Sequence, residues 1–545
     1  MKILWLDLNS SYAHSSLALP ALHAQMATND SFEWEIVSAT INENVGMVTN
    51  NIYHHHPDII AATNWLFNHE QLLHILSRAK ALLPYCRIAL GGPEFLGDNE
   101  DFLRKNPFVD CVFRGEGEEV FPQWLQYQNQ PEQWDTVTGL CYLDKKNLYH
   151  DNGIARVMNF VHLIPPEKSS FFNWSKPFVQ LETTRGCFNT CAFCVSGGEK
   201  PVRTLPITIR ERLMEIHRHG IKNVRVLDRT FNYNNKRAKE LLNLFLEFSP
   251  DICFHLEIHP ALLSEELKKE LAGLPKGLLH LEAGIQSLRE PVLEQSRRMG
   301  RLSDALDGLK YLCSLHNMET HADLIAGLPL YHLSEIFEDI HTLAEYGAGE
   351  IQLESLKLLP GTEMRRRAEE LGIQYAPLPP YEVLQTREIS VDELQTARVL
   401  SRLLDGFYNT PTWQNITRTL MLENEHFLHH FLDHLMQIGL IDQPLSLEKR
   451  GLILYEFCKQ NYPAYQTQVS IAWIEAGMSL KKLPAEKVKT KRQIPPETWI
   501  TIYGKYKETL RLCFLPANQE GQAGYWFGFE SEIQKAEPVF KALTM

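Results

Sequence analysis

The stretch Phe178–Cys194, "FVQLETTRGCFNTCAFC", sets a short apolar strand directly against three cysteines. Phe178–Thr184 has strand character, and Arg185 and Gly186 then lead the chain into a loop. Cys187, Cys191 and Cys194 follow in C-x3-C-x2-C spacing. Three thiols fit neither a disulfide, which takes two, nor a closed zinc site, which takes four ligands. Thiolates are soft ligands that suit zinc or an iron–sulfur cluster. A short loop with these spacings can wrap three corners of a cubane cluster and leave the fourth iron to a non-protein ligand. Zinc would need one ligand more, and Cys253 is the nearest later cysteine, with many histidines also present. No second C-x2-C pair follows at zinc-ribbon spacing, so spacing and placement favour the cluster.

Outward from this strand, an alternating series runs over residues 176–390. Its further strands are Val224–Asp228, Cys253–Ile258, Leu278–Ile285, Thr320–Pro329 and Ile351–Gly361, separated by helical stretches such as "NNKRAKELLNLFLEF". Six strand–helix repeats predict a partial, TIM-type (β/α)6 barrel with its active site at the strand C-termini. The cysteines stand at the end of the first strand.

A second series precedes it in residues 1–150. Lys2–Leu8, Trp34–Ala39, Asp58–Thr63, Arg87–Pro93 and Asp110–Glu118 read as short strands alternating with helical patterns. That pattern predicts a Rossmann-like, doubly wound parallel sheet. Ligands in such folds lie beyond the carboxyl ends of the strands. Those ends here carry Asn9, Ser10 and His14; Thr63 and Asn64; Gly91, Gly92, Pro93 and Glu94; and Gly115 and Glu116. Any one glycine pair reads equally well as a tight turn, but several such ends in one domain point to a ligand. Residues 151–175 form a linker. Residues 391–545 read as a mainly helical domain with a small terminal β segment. Leu400, Leu403, Leu404 and Phe407, then Phe427, Phe431 and Leu435, follow helical spacing, and "TWITIYGKYKETLRLCFLP" alternates like strands. This last domain shows no recognisable chemistry and reads as a cover, scaffold or docking module.

At 545 residues the chain exceeds one ordinary core. A net charge of −13 argues against broad nucleic-acid binding, which rests on phosphate neutralisation. No apolar run of about 18 residues suggests a membrane span. The N-terminus lacks signal-peptide character, so ten reduced cysteines and a cytoplasmic location are expected.

The cysteine array, with Phe193 just before its third member, resembles the signature of the radical S-adenosylmethionine superfamily. The resemblance implies a [4Fe–4S] cluster on Cys187, Cys191 and Cys194, with S-adenosylmethionine on the unique iron and reductive cleavage to a 5′-deoxyadenosyl radical. It extends along the barrel. "VLDRTFNYN" offers Asp228 and Arg229 near the methionine moiety, and "EIHPALL" offers Glu257. "LEAGIQSL" places Glu282 and Gln286 on the ribose side, and "DLIAGLP" places Ile325 by the adenine. Asp228, Glu257 and Glu282 could equally serve barrel salt bridges. "LGGPEFLG" and "FRGEGE" resemble the cobalamin-binding domain fused ahead of the barrel in one subfamily, and the C-terminal part resembles an extension found in one of its branches.

One departure stands out. The D-x-H-x-x-G motif that supplies a cobalt-ligating histidine is missing from residues 1–150, and "DIHTLA" (Asp339–Ala344) ends in alanine on a barrel helix. His14 is a candidate contact without ligand spacing, and His54–His56 reads as a surface turn. The resemblance implies a cobalamin-dependent methyltransferase acting on an unactivated carbon of a small-molecule, lipid or peptide substrate, served by a flavodoxin- or ferredoxin-type electron donor. Radical cyclisation or rearrangement without methyl transfer is the first alternative. A non-catalytic cobalamin-binding or sensing protein is the second.

Overall fold

The computed structural model describes all residues except 15, 28, 206–208, 441–442, 486–488, 494–509, 517–523, 530–537, 539 and 544–545. The chain divides into two compact units, residues 1–333 with 355–394, and residues 334–354 with 395–545.

The first unit opens with the strands β1 (Lys2–Asn9), β2 (Glu33–Thr40), β3 (Ile59–Thr63), β4 (Arg87–Gly91) and β5 (Cys111–Phe113). They pair in parallel in the order β2-β1-β3-β4-β5. The strand order reverses between β1 and β3, the crevice where doubly wound sheets bind ligands. Both faces are covered. Leu4, Leu6 and Leu8 point into one apolar cluster, while Ile3 and Trp5 point into the other. That two-sided burial explains the near-continuous apolar run of β1. Two antiparallel strands, β6 (Leu140–Leu143) and β7 (Tyr149–Asp151), extend the sheet beyond β5. Sequence reading missed them, because each is short and hairpin-like rather than part of a β/α repeat. It also took "HHH" for a surface turn. His54 and His55 instead end a helix over Val45–His55, and His56 caps it in the left-handed conformation.

The barrel strands of this unit are β8 (Val179–Leu181), β11 (Asn223–Val226), β12 (Cys253–Ile258), β13 (Leu279–Gln286) and β14 (Glu319–Ala326). Between β8 and β11 lies a two-residue hairpin, β9 (Thr184–Arg185) with β10 (Arg203–Thr204). These five parallel strands pair in the order β14-β13-β12-β11-β8. Along β13, Leu279, Leu281, Ala283 and Ile285 are buried, while His280, Glu282, Gly284 and Gln286 alternate with them on the other face. In β12 the corresponding polar-face residues are Cys253, His255 and Glu257. Register sets Glu257 beside Glu282, Glu282 beside His321, and Gly284 beside Asp323. The polar face thus carries a row of ionisable groups. Behind it, the helix over Leu302–Cys313 packs so closely on the turn after β12 that a Cβ on Gly308 would lie 2.1 Å from the Pro260 carbonyl oxygen.

The second unit holds all but the final residue of the last expected strand, Glu350–Ser355, then helices through Glu475 and a four-stranded antiparallel sheet. The expected core residues Leu400, Leu403, Leu404, Phe407, Phe427, Phe431 and Leu435 are all buried. Leu510–Leu515 forms the strand expected near the C-terminus, while the residues of that stretch up to 509 lie outside the described ones.

Candidate active site at the strand ends

The loop carrying the cysteines begins where β8 ends. There the Asp228 carboxylate, 1% exposed, accepts hydrogen bonds from the backbone N–H groups of Thr183 (2.8 Å) and Thr184 (2.9 Å) and from the Thr183 hydroxyl. The chain then passes through the β9–β10 hairpin, whose stem closes residues 186–202 into a loop. Inside the loop, Cys187 N–H donates to Glu199 O, Cys194 N–H to Cys191 O, Gly197 N–H to Cys194 O and Gly198 N–H to Asn189 O. A Cβ on Gly197 would stand 2.3 Å from Cys191 O, so these turns close only around glycine. Ala192 N–H bonds Ser296 O, and Met299 N–H bonds Asn189 Oδ1, which ties the loop to the segment after β13.

All three cysteines are free thiols, and with Phe193 they line one cleft, with about 680 Å³ of empty space, part of it open to solvent. Burial pushes the thiols of Cys187 and Cys191 up, and a bound cation is what makes such thiolates stable. Cys253, the fourth cysteine that a zinc site would need, begins β12 while Glu257 near its other end faces the cleft. At about 3.3 Å per residue it lies roughly 13 Å back along the strand. No fourth cysteine lines the cleft among the described residues. The thiol set therefore fits a cluster that takes three protein ligands.

Opposite the thiols stand charged groups. Arg298 Nη1 is 3.7 Å from Cys191 Sγ, and its other nitrogen donates to Gly284 O. Arg229 is 4.0 Å from Glu257. Burial raises Glu257 to about 7, helped by the nearby Glu282 and Asp323 and opposed by Arg229 and His255. Glu282 is held low by a hydrogen bond from His255 (2.9 Å), whereas burial raises Asp323. His259, 4% exposed, is pushed down to about 3 by burial and by Arg298, so it is neutral. Its Nε2 donates to Met299 O at 3.1 Å, leaving Nδ1 a buried lone pair without a hydrogen-bond partner.

The structure thus brings Phe193, Arg229, Glu257, Glu282 and Gln286 into the cleft with the cysteines. It does not bring Asp228 or Ile325 there. Asp228 is committed to the β8 backbone, and Ile325 lies at the end of β14, outside the lining. Sequence reasoning missed Thr230, His259, Arg298 and Asp323. His259 and Asp323 stand inside the quoted motifs, but nothing in the spacing marked them. Arg298 comes from a loop that only the tertiary fold carries to Cys191.

In the first domain, Asn9–His14, Thr63–Asn64 and Gly91–Glu94 follow β1, β3 and β4 on the carboxyl edge of the sheet. Asn9 donates to Asp7, and His14 bonds Ser11 and packs edge-on against Phe178. Asn64 is fully buried and its Oδ1 has no hydrogen-bond partner, an acceptor left open at the β1/β3 crevice. Gly92 packs on it, since a Cβ there would lie 2.5 Å from Asn64 O. An orphaned buried acceptor there suits a hydrogen-bond donor on a ligand. Glu94 and Glu116 face elsewhere: Glu94 accepts from Tyr381 Oη (2.6 Å), and Glu116 meets Arg185 and Arg203.

Comparison with known proteins agrees with this layout. The radical SAM superfamily model matches residues 181–343, a B12 binding domain matches 7–125, and a protein family of unknown function (DUF4080) matches 369–540. The chain carries a radical SAM domain and a B12-binding domain. It is 22% identical over 349 residues to the cobalamin-dependent radical SAM methyltransferase TokK of Streptomyces tokunonensis, covering 60% of this chain and 51% of the relative. It is 25% identical over 249 residues to an uncharacterized methyltransferase of Pyrococcus horikoshii, covering 44% and 53%. The chain spans about half the length of these curated relatives. Among solved structures, the radical enzyme OxsB with aqua-cobalamin and S-adenosylmethionine bound superposes with a TM-score of 0.60 at 15% identity, over 84% of this chain and 75% of that one. The methyltransferase TsrM from Kitasatospora setae, with cobalamin and a [4Fe–4S] cluster bound, gives 0.56 at 15% identity, over 70% and 78%. These likenesses establish the fold.

Proposed function

We propose that this chain is a cobalamin-dependent radical S-adenosylmethionine enzyme that methylates an unactivated carbon of a small-molecule substrate. The carrying observation is the cleft itself. Three thiols without a fourth cysteine face two arginines and three carboxylates at the ends of parallel strands. When bound, the cluster and S-adenosylmethionine supply one-electron cleavage of the sulfonium, and cobalamin supplies a methyl group. Cys187, Cys191 and Cys194 hold the cluster. Arg298 offers its guanidinium to a carboxylate beside Cys191. Glu282 accepts from ligand hydroxyls, and Glu257 or Asp323 faces an ammonium. Asn64 and the backbone at Gly91–Gly92 receive the corrin side at the β1/β3 crevice. An external one-electron donor of the flavodoxin or ferredoxin type completes the reading.

The test is anaerobic reconstitution of the full chain with iron, sulfide, hydroxocobalamin and a reductant. The expected result is about four irons per chain, the content of the family cluster, together with cobalamin uptake and 5′-deoxyadenosine release from S-adenosylmethionine. Replacing all three cysteines by alanine should abolish iron uptake and cleavage. A chain that binds zinc and no iron refutes the cluster. A chain that cleaves S-adenosylmethionine but takes up no cobalamin refutes methyl transfer and leaves radical rearrangement.

A further inference from the structure

We infer that Glu116, on the loop after β5 of the B12-binding domain, is a positioning residue for the cysteine loop: with Arg185 and Arg203 it fastens the base of that loop to the neighbouring domain. The inference rests on the proposed function only for what the loop holds. The fastening itself is read from geometry. Arg185 and Arg203 are direct partners across the β9–β10 hairpin, so they stand at the two ends of the loop over residues 186–202. Both guanidinium groups reach the same carboxylate. Arg203 makes a two-pronged pair with Glu116, at 2.7 and 3.0 Å, and Arg185 lies 3.4 Å from it. Glu116 also accepts the Val157 N–H at 2.7 Å.

Two arginines side by side repel unless carboxylates separate them. Arg185 is further paired with Glu118 (2.5 Å) and Glu182 (2.7 Å), and Arg203 with Glu199 (2.7 Å). The Phe160 ring lies under both guanidinium groups. Arg203 is only 6% exposed, so its pairing is poorly screened. The network also reaches the first cysteine. Glu199 binds Arg203 through its carboxylate and accepts the Cys187 N–H through its carbonyl. A physical path of four residues, Glu116–Arg203–Glu199–Cys187, therefore runs from one domain into the cysteine loop. The Glu116 end of this path is rigid. Glu116 N–H bonds Ala155 O, and a Cβ on Gly115 would fall 2.2 Å from that same oxygen.

The test uses the full chain with Glu116→Gln, Glu116→Asp, Arg203→Gln, Arg203→Lys and the double Glu116→Gln/Arg203→Gln variant. In the metal-free protein, amide hydrogen exchange over residues 186–202 should rise about tenfold in both Gln variants, since a largely buried ion-pair network loses one of its charges. The double variant should exchange no faster than the singles, and the Asp and Lys variants should recover part of the protection. After anaerobic reconstitution, iron release to a chelator should accelerate in the same order, and the electron paramagnetic resonance signal of the reduced cluster should broaden. A Glu116→Gln chain with wild-type exchange and iron release beside a loosened Arg203→Gln chain overturns the inference, because the two domains would then be uncoupled. Additive effects overturn it as well. A wild-type chain that takes up no iron refutes the functional reading, while the exchange measurement still decides the fastening.

Discussion

Asp228 separates a structural role from a ligand contact, and two substitutions distinguish them. Its Oδ1 accepts the N–H groups of Thr183 and Thr184, and its Oδ2 accepts the Thr183 hydroxyl. Thr183 and Thr184 are 0% and 4% exposed, so water does not replace a lost acceptor. Asp228→Ala leaves two buried N–H donors unsatisfied, at about 1–3 kcal/mol each, and opens a small void, for a total of about 3–5 kcal/mol. Asp228→Asn keeps Oδ1 on both N–H groups and lets its amide donate to Thr183 Oγ1. It also removes the burial cost that pushes the Asp228 carboxyl up, so the loss is about 1 kcal/mol. Native-state hydrogen exchange at residues 178–186 reads these local opening energies without assuming that a chain with several domains unfolds in one step. Equilibrium binding of S-adenosylmethionine to the reconstituted protein reads the other role. Asp228→Asn should bind within about twofold of wild type, since a change outside the cleft removes no ligand contact. Lost binding with unchanged exchange would show that the carboxylate touches the ligand, and would refute the reasoning.

Other outcomes follow from the same geometry. Arg298→Gln should weaken S-adenosylmethionine binding about tenfold or more, the loss expected of one charged hydrogen bond, and Arg298→Lys should lose less; equal affinities would remove Arg298 from the site. Because Glu257 is raised from 4.5 to about 7, the folded chain holds a proton there that the unfolded chain releases, so that contribution is full below pH 4.5, falls steadily above it, and is gone once pH has passed 7. The metal-free protein should thus melt at a lower temperature at pH 8 than at pH 6, and Glu257→Gln should flatten that difference. Gly197→Ala pushes a methyl against Cys191 O, so iron per reconstituted chain should fall by about half or more; full loading would show that the loop yields. Tyr381→Phe strips the buried Glu94 carboxylate of its phenol donor and should cost about 1–3 kcal/mol, read as a lowered melting temperature.

Much of this is legible in the sequence. The cysteine spacing needs no tertiary context, and the β/α alternation fixed the strand ends at which ligands gather. Glu257 was found near the end of its strand, and Glu282, in the middle of β13, through the resemblance of its motif; both fall on the polar, cleft-side face of the alternation. Asp228 shares such a position, yet its carboxylate turns to the neighbouring strand's backbone, a choice set by unsatisfied N–H groups that no sequence pattern displays. Glu94 and Glu116 sit on the expected loops of the first domain, but their charges are taken up by Tyr381, Arg185 and Arg203, residues distant in sequence. Arg298 and His259 were silent because register and loop closure alone carry them to the thiols. The antiparallel pair β6 and β7 carries no β/α period, so nothing in the alternation marks it.

The two-residue hairpin that closes the cysteine loop has a consequence for engineering. Its stem fixes the span between Arg185 and Arg203, so the chain between Cys194 and Arg203 does not set the distance between barrel strands. The cysteine segment therefore tolerates changes of length poorly at its edges: one residue added inside the stem would shift the Arg185–Arg203 pairing and move every cysteine, and one added beside Glu199 would part the Cys187 N–H from its acceptor.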